Sequence, residues 1–296
     1  MTVGVSRSTT IARRLFDRLE PVHAVTYFSP EARAALDGLG FRGFWMGYFA
    51  ARSAPLGPVA PEVVTAVFCN FAPWRVAKAL PAAWEIAPPA TVLQVRQDSA
   101  VAALRRYGCT DSGAIATAAA LLGTAARSAP SEGRPLFAAN LALPWPEEPL
   151  AQLWHAATLL REQRGDGHIA ALNVFGISGR QSNVLHAAAD RVPREMIVRS
   201  RDYDEEQWQR HIGELADRGL LDGAGALTPA GAELKAEIEE TTDRLALSAF
   251  DVLDDADLDT LFGALTPLTR LVVAAGDVPA ATPMGLHRDD LDNDSL

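Results

Sequence analysis

The chain has 296 residues, 48% of them hydrophobic and 22% charged, with a formal net charge of −10. That is enough apolar material for two modest domains or one duplicated one, and the acidic balance disfavours affinity built on phosphate neutralisation, although a local basic patch stays open. Cys69 and Cys109 show no ligand spacing, the N-terminus lacks the apolar stretch of a signal peptide, and the longest apolar run, Ile115 to Ala126, is too short to cross a bilayer. These features predict a reduced, cytoplasmic protein with no membrane partner.

Abundant alanine and leucine favour helix over sheet. A helix is expected from Thr9 to Phe28, interrupted near Pro21. Ser29 and Pro30 read as N-cap and first helical residue of the next one. In the helix that follows, Phe41, Trp45, Tyr48 and Arg52 fall on one stripe, with Phe44 and Phe49 beside it. Pro61 and Pro73 open short helices, and after the break at Pro88-Pro89 a helix runs from Thr91 to Tyr107. Thr110 and Asp111 cap an alanine-rich helix to about Ala126. Asn140 to Pro149 is a proline-rich linker. Leu150 to Arg164 is helical, Gly165 to Gly167 marks a break or bend, and His168 to Phe175 continues. Ser178 caps the next helix, Pro193 opens a short one, and Tyr203 to Arg218 is ended by Gly219. Leu220 to Leu227 reads as a wing, Thr228 caps a helix to Leu247, and Asp255 to Ala275 is the last helix before an acidic tail.

Asp202 to Leu234 therefore has the pattern helix, tight GAG turn, helix, which is the shape of a winged helix-turn-helix. The two halves also overlay at an offset of 120 residues: Gly47-Tyr48-Phe49-Ala50-Ala51 falls over Gly167-His168-Ile169-Ala170-Ala171, and Pro73 over Pro193. The segments LEPVHAVTYFSPEARAALDGLGFRGFWMGYFAARSAPLGPV and LWHAATLLREQRGDGHIAAL resemble the actinobacterial helix-turn-helix proteins of the SalK type. That resemblance covers nearly the whole chain. It implies a mainly helical fold with winged-helix units related to MarR-type regulators, and a homodimer formed through Ile238 to Leu271. It implies little about chemistry, because the family is named by fold. The expected fold class is mainly α: two tandem winged-helix-like repeats with small β-wings. Residues 1–139 would form the first repeat, 140–149 the linker, 150–275 the second repeat and 276–296 a disordered tail.

The candidate chemistry is mixed. The Tyr203 to Arg218 helix carries Asp204, Glu205, Glu206, Glu214 and Asp217 against Arg210 and Arg218, and its wing has no cation, so DNA is a possible but disfavoured partner. Arg194, Arg199 and Arg201, or Arg75, Lys78, Arg96, Arg105 and Arg106 of the first unit, are the better phosphate contacts. His155 and Glu162 lie two turns apart and could join His168 or His23 at a metal, but a solvated polar face is the simpler reading and no metal is assigned. The cluster Arg161, Glu162, Arg164, Asp166, His168 is either an intrahelical salt-bridge lattice or a buried network that orients a ligand. Arg52 on an apolar stripe needs a partner. That partner is either a carboxylate such as Glu62 or an anionic aromatic ligand stacked on Trp45 beside Tyr48, with His23 and Tyr27 facing the same space. No nucleophile elbow, Walker loop or dinucleotide fingerprint is present, so no cofactor and no catalytic residue is nominated. The expectation is a small-molecule-binding winged-helix protein, most simply a ligand-responsive transcriptional regulator. The alternative is an enzyme or carrier that has lost DNA binding, with its site between the repeats.

Overall fold

The computed structural model describes residues 7–110, 113–280 and 288–296. The expected cap Asp111 and the 281–287 part of the acidic tail lie outside them. In chain order the helices are α1 (Thr9–Phe28), α2 (Pro30–Gly38), α3 (Gly43–Ser53), α4 (Pro61–Val67), α5 (Pro73–Ala79), α6 (Ala82–Ile86), α7 (Pro89–Arg106) and α8 (Gly113–Ser128). They continue with α9 (Pro135–Leu141), α10 (Pro149–Val174), α11 (Gly179–Ala188), α12 (Arg194–Arg201), α13 (Glu205–Asp217), α14 (Pro229–Leu247) and α15 (Asp255–Ala274). Proline writes many of these starts. Pro30, Pro61, Pro73, Pro89, Pro135, Pro149 and Pro229 each sit in a first turn, where the missing N–H has no helical acceptor to lose.

Two expected interruptions are absent. Helix α1 runs through Pro21, which is buried with its neighbours Glu20 and His23, so packing on both sides holds the turn. Helix α10 runs through Gly165 and Gly167 as one 26-residue element. Glycine costs helix stability of about 1 kcal/mol per position, and burial against neighbouring helices carries the element through both; a Cβ on Gly167 would make an ordinary contact with Leu245 of α14 at 3.4 Å. Buried residues surround α10, and it contacts α1, α7, α8, α9 and α14.

Three hydrophobic clusters divide the chain. A spine unites Leu15 and Val22 of α1, Leu104 of α7, Ile115 and Leu122 of α8, Leu153 and Leu160 of α10, and Phe262 and Leu265 of α15. Residues from both expected repeats thus share one core. A small first unit gathers Phe41, Phe49, Phe68, Phe71, Val76 and Leu80 from α3 to α5 and their flanks. A small second unit gathers Leu172, Val184, Ile197, Trp208, Leu215 and Leu221 from the end of α10 through α13. At an offset of 120 residues, α3 falls on the C-terminal half of α10, α4 within α11, and α5 on α12 shifted by one residue.

The wings are smaller than expected. Among the described residues, β structure amounts to one antiparallel bridge, Leu221 to Leu227, in the second unit. Asp222 closes the turn by accepting from the Ala224 and Ala226 amides, so the side chain does work that a longer strand pair would do. At the same offset this bridge falls on residues 101–107, the C-terminal end of α7, where no bridge forms. The Ile238 to Leu271 segment, assigned to a dimer by resemblance, directs Ile238, Leu258, Leu261, Phe262, Leu265 and Leu268 into this chain's own cores. In the stretch read from sequence as a disordered tail, Leu291 is buried and Asp290 accepts from Arg14 and Arg18 of α1.

Candidate functional site

The charged cluster on α10 is a buried network in which nearly every member reaches a different helix. Glu162, 2% exposed, receives Arg52 of α3 in a two-pronged contact, Nε to Oε1 at 3.2 Å and Nη2 to Oε2 at 3.1 Å. Arg161 donates to Glu162 at 2.8 Å and to Glu20 of α1 at 3.0 Å. Arg164 donates to Asp243 of α14 at 2.9 Å. Asp166 accepts from the Leu136 and Phe137 amides that open α9, at 3.0 and 2.9 Å. His168 Nδ1 lies 2.9 Å from Thr242 Oγ1 on α14. An intrahelical lattice is therefore not what these residues form, and Glu62, which is exposed, is not the partner of Arg52. Burial opposes ionisation of Glu162, yet the Arg161 and Arg52 guanidiniums outweigh it and hold the carboxyl well below the usual range.

This network forms one wall of a cavity of about 550 Å³ between the two small units. The expected residues Tyr27, Trp45, Tyr48, Arg52, Arg161, Arg164, Asp166 and His168 all line it. The remaining three do not. Glu162 stands behind Arg52 and Arg161. His23 stands behind Tyr27, with Nε2 2.8 Å from the phenol and Nδ1 2.9 Å from Thr158. His155 points elsewhere, edge-on to Trp145 at 4.9 Å between centroids. The stripe of His155 and Glu162 is buried, at 3% and 2% exposure, so it is not the solvated face that spacing suggested. Among the described residues no group of three or more His, Cys, Asp or Glu side chains could hold a metal ion.

The facing wall was not legible as a site. It comes from the second unit and the α4–α5 connection: Phe71, Asn183, His186, Arg201 and Lys235. From sequence alone Arg201 reads as a phosphate contact, because a cation at the end of a short helix carries no mark of burial. It is 9% exposed, its guanidinium lies 4.2 Å from the Phe71 ring centroid, and burial lowers its pKa to about 10. His186 Nε2 is buried without a hydrogen-bond partner.

Burial sets the pH response. Desolvation lowers His155, His168 and His186 to about 4, and raises Asp166 to about 6 against the pull of its two amide donors. The histidines are neutral when folded and charge on unfolding at the ordinary value near 6.5. Their contribution to stability is present above pH 6.5 and is lost as the pH falls toward 4. Asp166 acts oppositely: its contribution is present below pH 3.8 and lost as the pH rises through 6. His23, lowered further by burial, acts with the three histidines, and Glu20, raised by burial, acts with Asp166, so four groups outweigh two. The melting temperature is expected to fall between pH 6.5 and 4, with a slope of at most about 1.4 kcal/mol per pH unit for each histidine and less for His168 and His186, which face the cavity. Thermal unfolding from pH 4 to 8 checks this; a His155→Gln chain should show a flatter acid limb.

The phosphate contacts expected from sequence are mostly spent. Arg194 pairs with Glu205, Arg105 with Glu148, and Arg106 with Glu31 and Asp277, while Arg75 donates to Asp202 and Arg96 is buried. Glu205, Glu206, Glu214 and Asp217 of α13 are exposed. No helix among the described residues is long and apolar enough to cross a membrane.

No curated protein and no solved structure matches the chain. A family model described as a helix-turn-helix family matches residues 12–279, which takes in the α10 network, both small units and the α11 to α14 segment with its bridge. By that match over nearly its whole length, the chain belongs to this helix-turn-helix family.

Proposed function

We propose that the protein is a small-molecule-binding helix-turn-helix protein, most simply a ligand-responsive transcriptional regulator. Within that reading it is a SalK-type protein whose units are winged helices akin to those of MarR-type regulators, working as a homodimer in the cytoplasm. The observation that carries it is the cavity. At about 550 Å³ it is of ligand size, it lies between the two units, and it mixes an aromatic wall with a fixed polar network. A ligand there touches the unit that contains α13 and the unit that does not, which is the arrangement a ligand needs to bias one against the other.

The test is selection from random-sequence duplex DNA at about 50 mM salt, followed by titration to about 200 mM. A regulator should enrich a sequence and lose at least tenfold in affinity across that range. The exposed acids of α13 and the spent arginines favour a second reading, an enzyme or carrier on the same scaffold. Under that reading nothing is enriched at any salt, while small molecules still bind the cavity.

A further inference from the structure

Among the described residues, the cavity holds one buried cation with no acidic partner. Arg52, Arg161 and Arg164 meet Glu162, Glu20 and Asp243, and Lys235 lies 3.8 Å from Glu239. Arg199 is exposed to solvent at the rim. Among the described residues, Arg201 alone of the buried lining cations has neither an ion pair nor a side-chain hydrogen bond, and its Nε is buried without an acceptor. Its position is not slack. The carbonyls of Ser200, Arg201 and Asp202 accept from Arg75, Arg180 and Arg180 in turn, at 3.1, 2.5 and 3.3 Å, and Asp202 also receives the Arg75 side chain at 2.8 Å. The backbone that carries Arg201 is thus clamped, and the guanidinium lies over Phe71 with Tyr48 and Trp45 within 5.6 Å of that ring.

A guanidinium taken out of water and left unpaired costs stability unless something else supplies the anion. Resting on the ligand-binding reading above, we propose that Arg201 is the anion anchor of the cavity and that the occupant is a planar aromatic monocarboxylate. The carboxylate suits the planar fork of arginine, which it meets through two parallel hydrogen bonds. The ring belongs against the aromatic wall of Tyr48 and Trp45. A single negative charge matches a single uncompensated positive one; a second carboxylate would itself be buried without a partner. Because Arg201 ends α12 while the aromatic wall belongs to α3 and its neighbours, such a ligand ties the second unit to the first.

Calorimetric titration of the full chain at pH 7.5 with 2-naphthoate, 2-naphthamide and naphthalene-2,6-dicarboxylate tests this. The wild type should bind naphthoate at least tenfold more tightly than the amide and more tightly than the dicarboxylate. Arg201→Gln should lose at least tenfold for naphthoate and leave the amide unchanged, and Arg201→Lys should recover part of the loss. Without ligand, Arg201→Gln should melt no lower than the wild type, since it deletes an unpaired buried charge. Equal binding of acid and amide to the wild type, or an unchanged acid preference in Arg201→Gln, overturns the anchor and leaves the ligand-binding cavity standing. A large drop in the melting temperature of Arg201→Gln makes the residue structural and also overturns it. If none of the three probes binds the wild type, the cavity reading falls and this assignment falls with it.

Discussion

Glu162→Gln is expected to destabilise the fold by about 3–5 kcal/mol, the range for breaking a buried ion pair from one side. The substitution preserves shape and removes charge. The amide oxygen can still accept from one guanidinium, but Arg52 would then have no ion pair, only the Tyr48 hydroxyl at 3.3 Å and the Phe68 ring besides, and Arg161 would pair with Glu20 alone. Both guanidiniums are nearly buried, with side chains 10% and 13% exposed, so solvent offers little in exchange. For a chain of this size the loss corresponds to a drop of roughly 10 °C in melting temperature. Urea unfolding of Glu162→Gln, Arg52→Met and an Arg52→Met/Glu162→Leu double variant separates the terms. The double variant should be more stable than Glu162→Gln, because well-packed apolar pairs replace buried ion pairs at little cost. A loss below about 1 kcal/mol in Glu162→Gln would mean that the network is screened like a surface pair.

Gly179→Ala is expected to part the two small units. A Cβ on Gly179 would stand 2.3 Å from the Cys69 carbonyl oxygen, 2.4 Å from its carbon and 2.6 Å from Sγ. Neither side can yield easily. Gly179 opens α11 inside a capping box of Ser178 and Gln181, and the α4–α5 connection is held by Asn183, which donates to the Asn70 carbonyl at 2.8 Å. Overpacking of this kind costs about 1–3 kcal/mol, and here the strain falls on Cys69 and Asn70, which line the cavity. Stability and naphthoate affinity should fall together. Gly213→Ala is the control. Its Cβ would meet nothing within 4 Å on exposed α13, so it should gain about 0.5–1 kcal/mol. The same chemical change thus carries opposite signs at two glycines, and parallel melting curves of the two variants check it.

Local rules were legible wherever the chain spoke about itself. Ser29, Ser178 and Thr228 cap the helices they were expected to cap, and the stripe of Trp45, Tyr48 and Arg52 faces the cavity. Spacing misled where a distant helix decided. Gly165 and Gly167 look like a break but lie in an unbroken α10, because the helix is buried on both sides of them, among α1, α7, α8, α9 and α14. His155 and Glu162 look like a polar face but are buried, His155 against Trp145 and Glu162 against Arg52 of α3. Arg201 looks like a surface cation but is buried, because Phe71 of the first unit covers it. One-dimensional patterns record which face a residue occupies, and whether that face meets water is settled by the other helices.

The spine shared by both halves also orders events in time. When Ser128 has been made, α1 and α8 expose apolar faces whose main covers, α10 and α15, are still unmade. At roughly 5–20 residues per second, the ribosome needs on the order of 10–30 s to deliver Ala274. Over that interval Ile115 and Leu122 receive α10 first, and the face that α15 covers stays open until the end. A sequence that looks like two copies of one unit therefore does not build itself copy by copy: its first half waits on its last helix, exposed to chaperones and to other nascent chains until α15 closes the core.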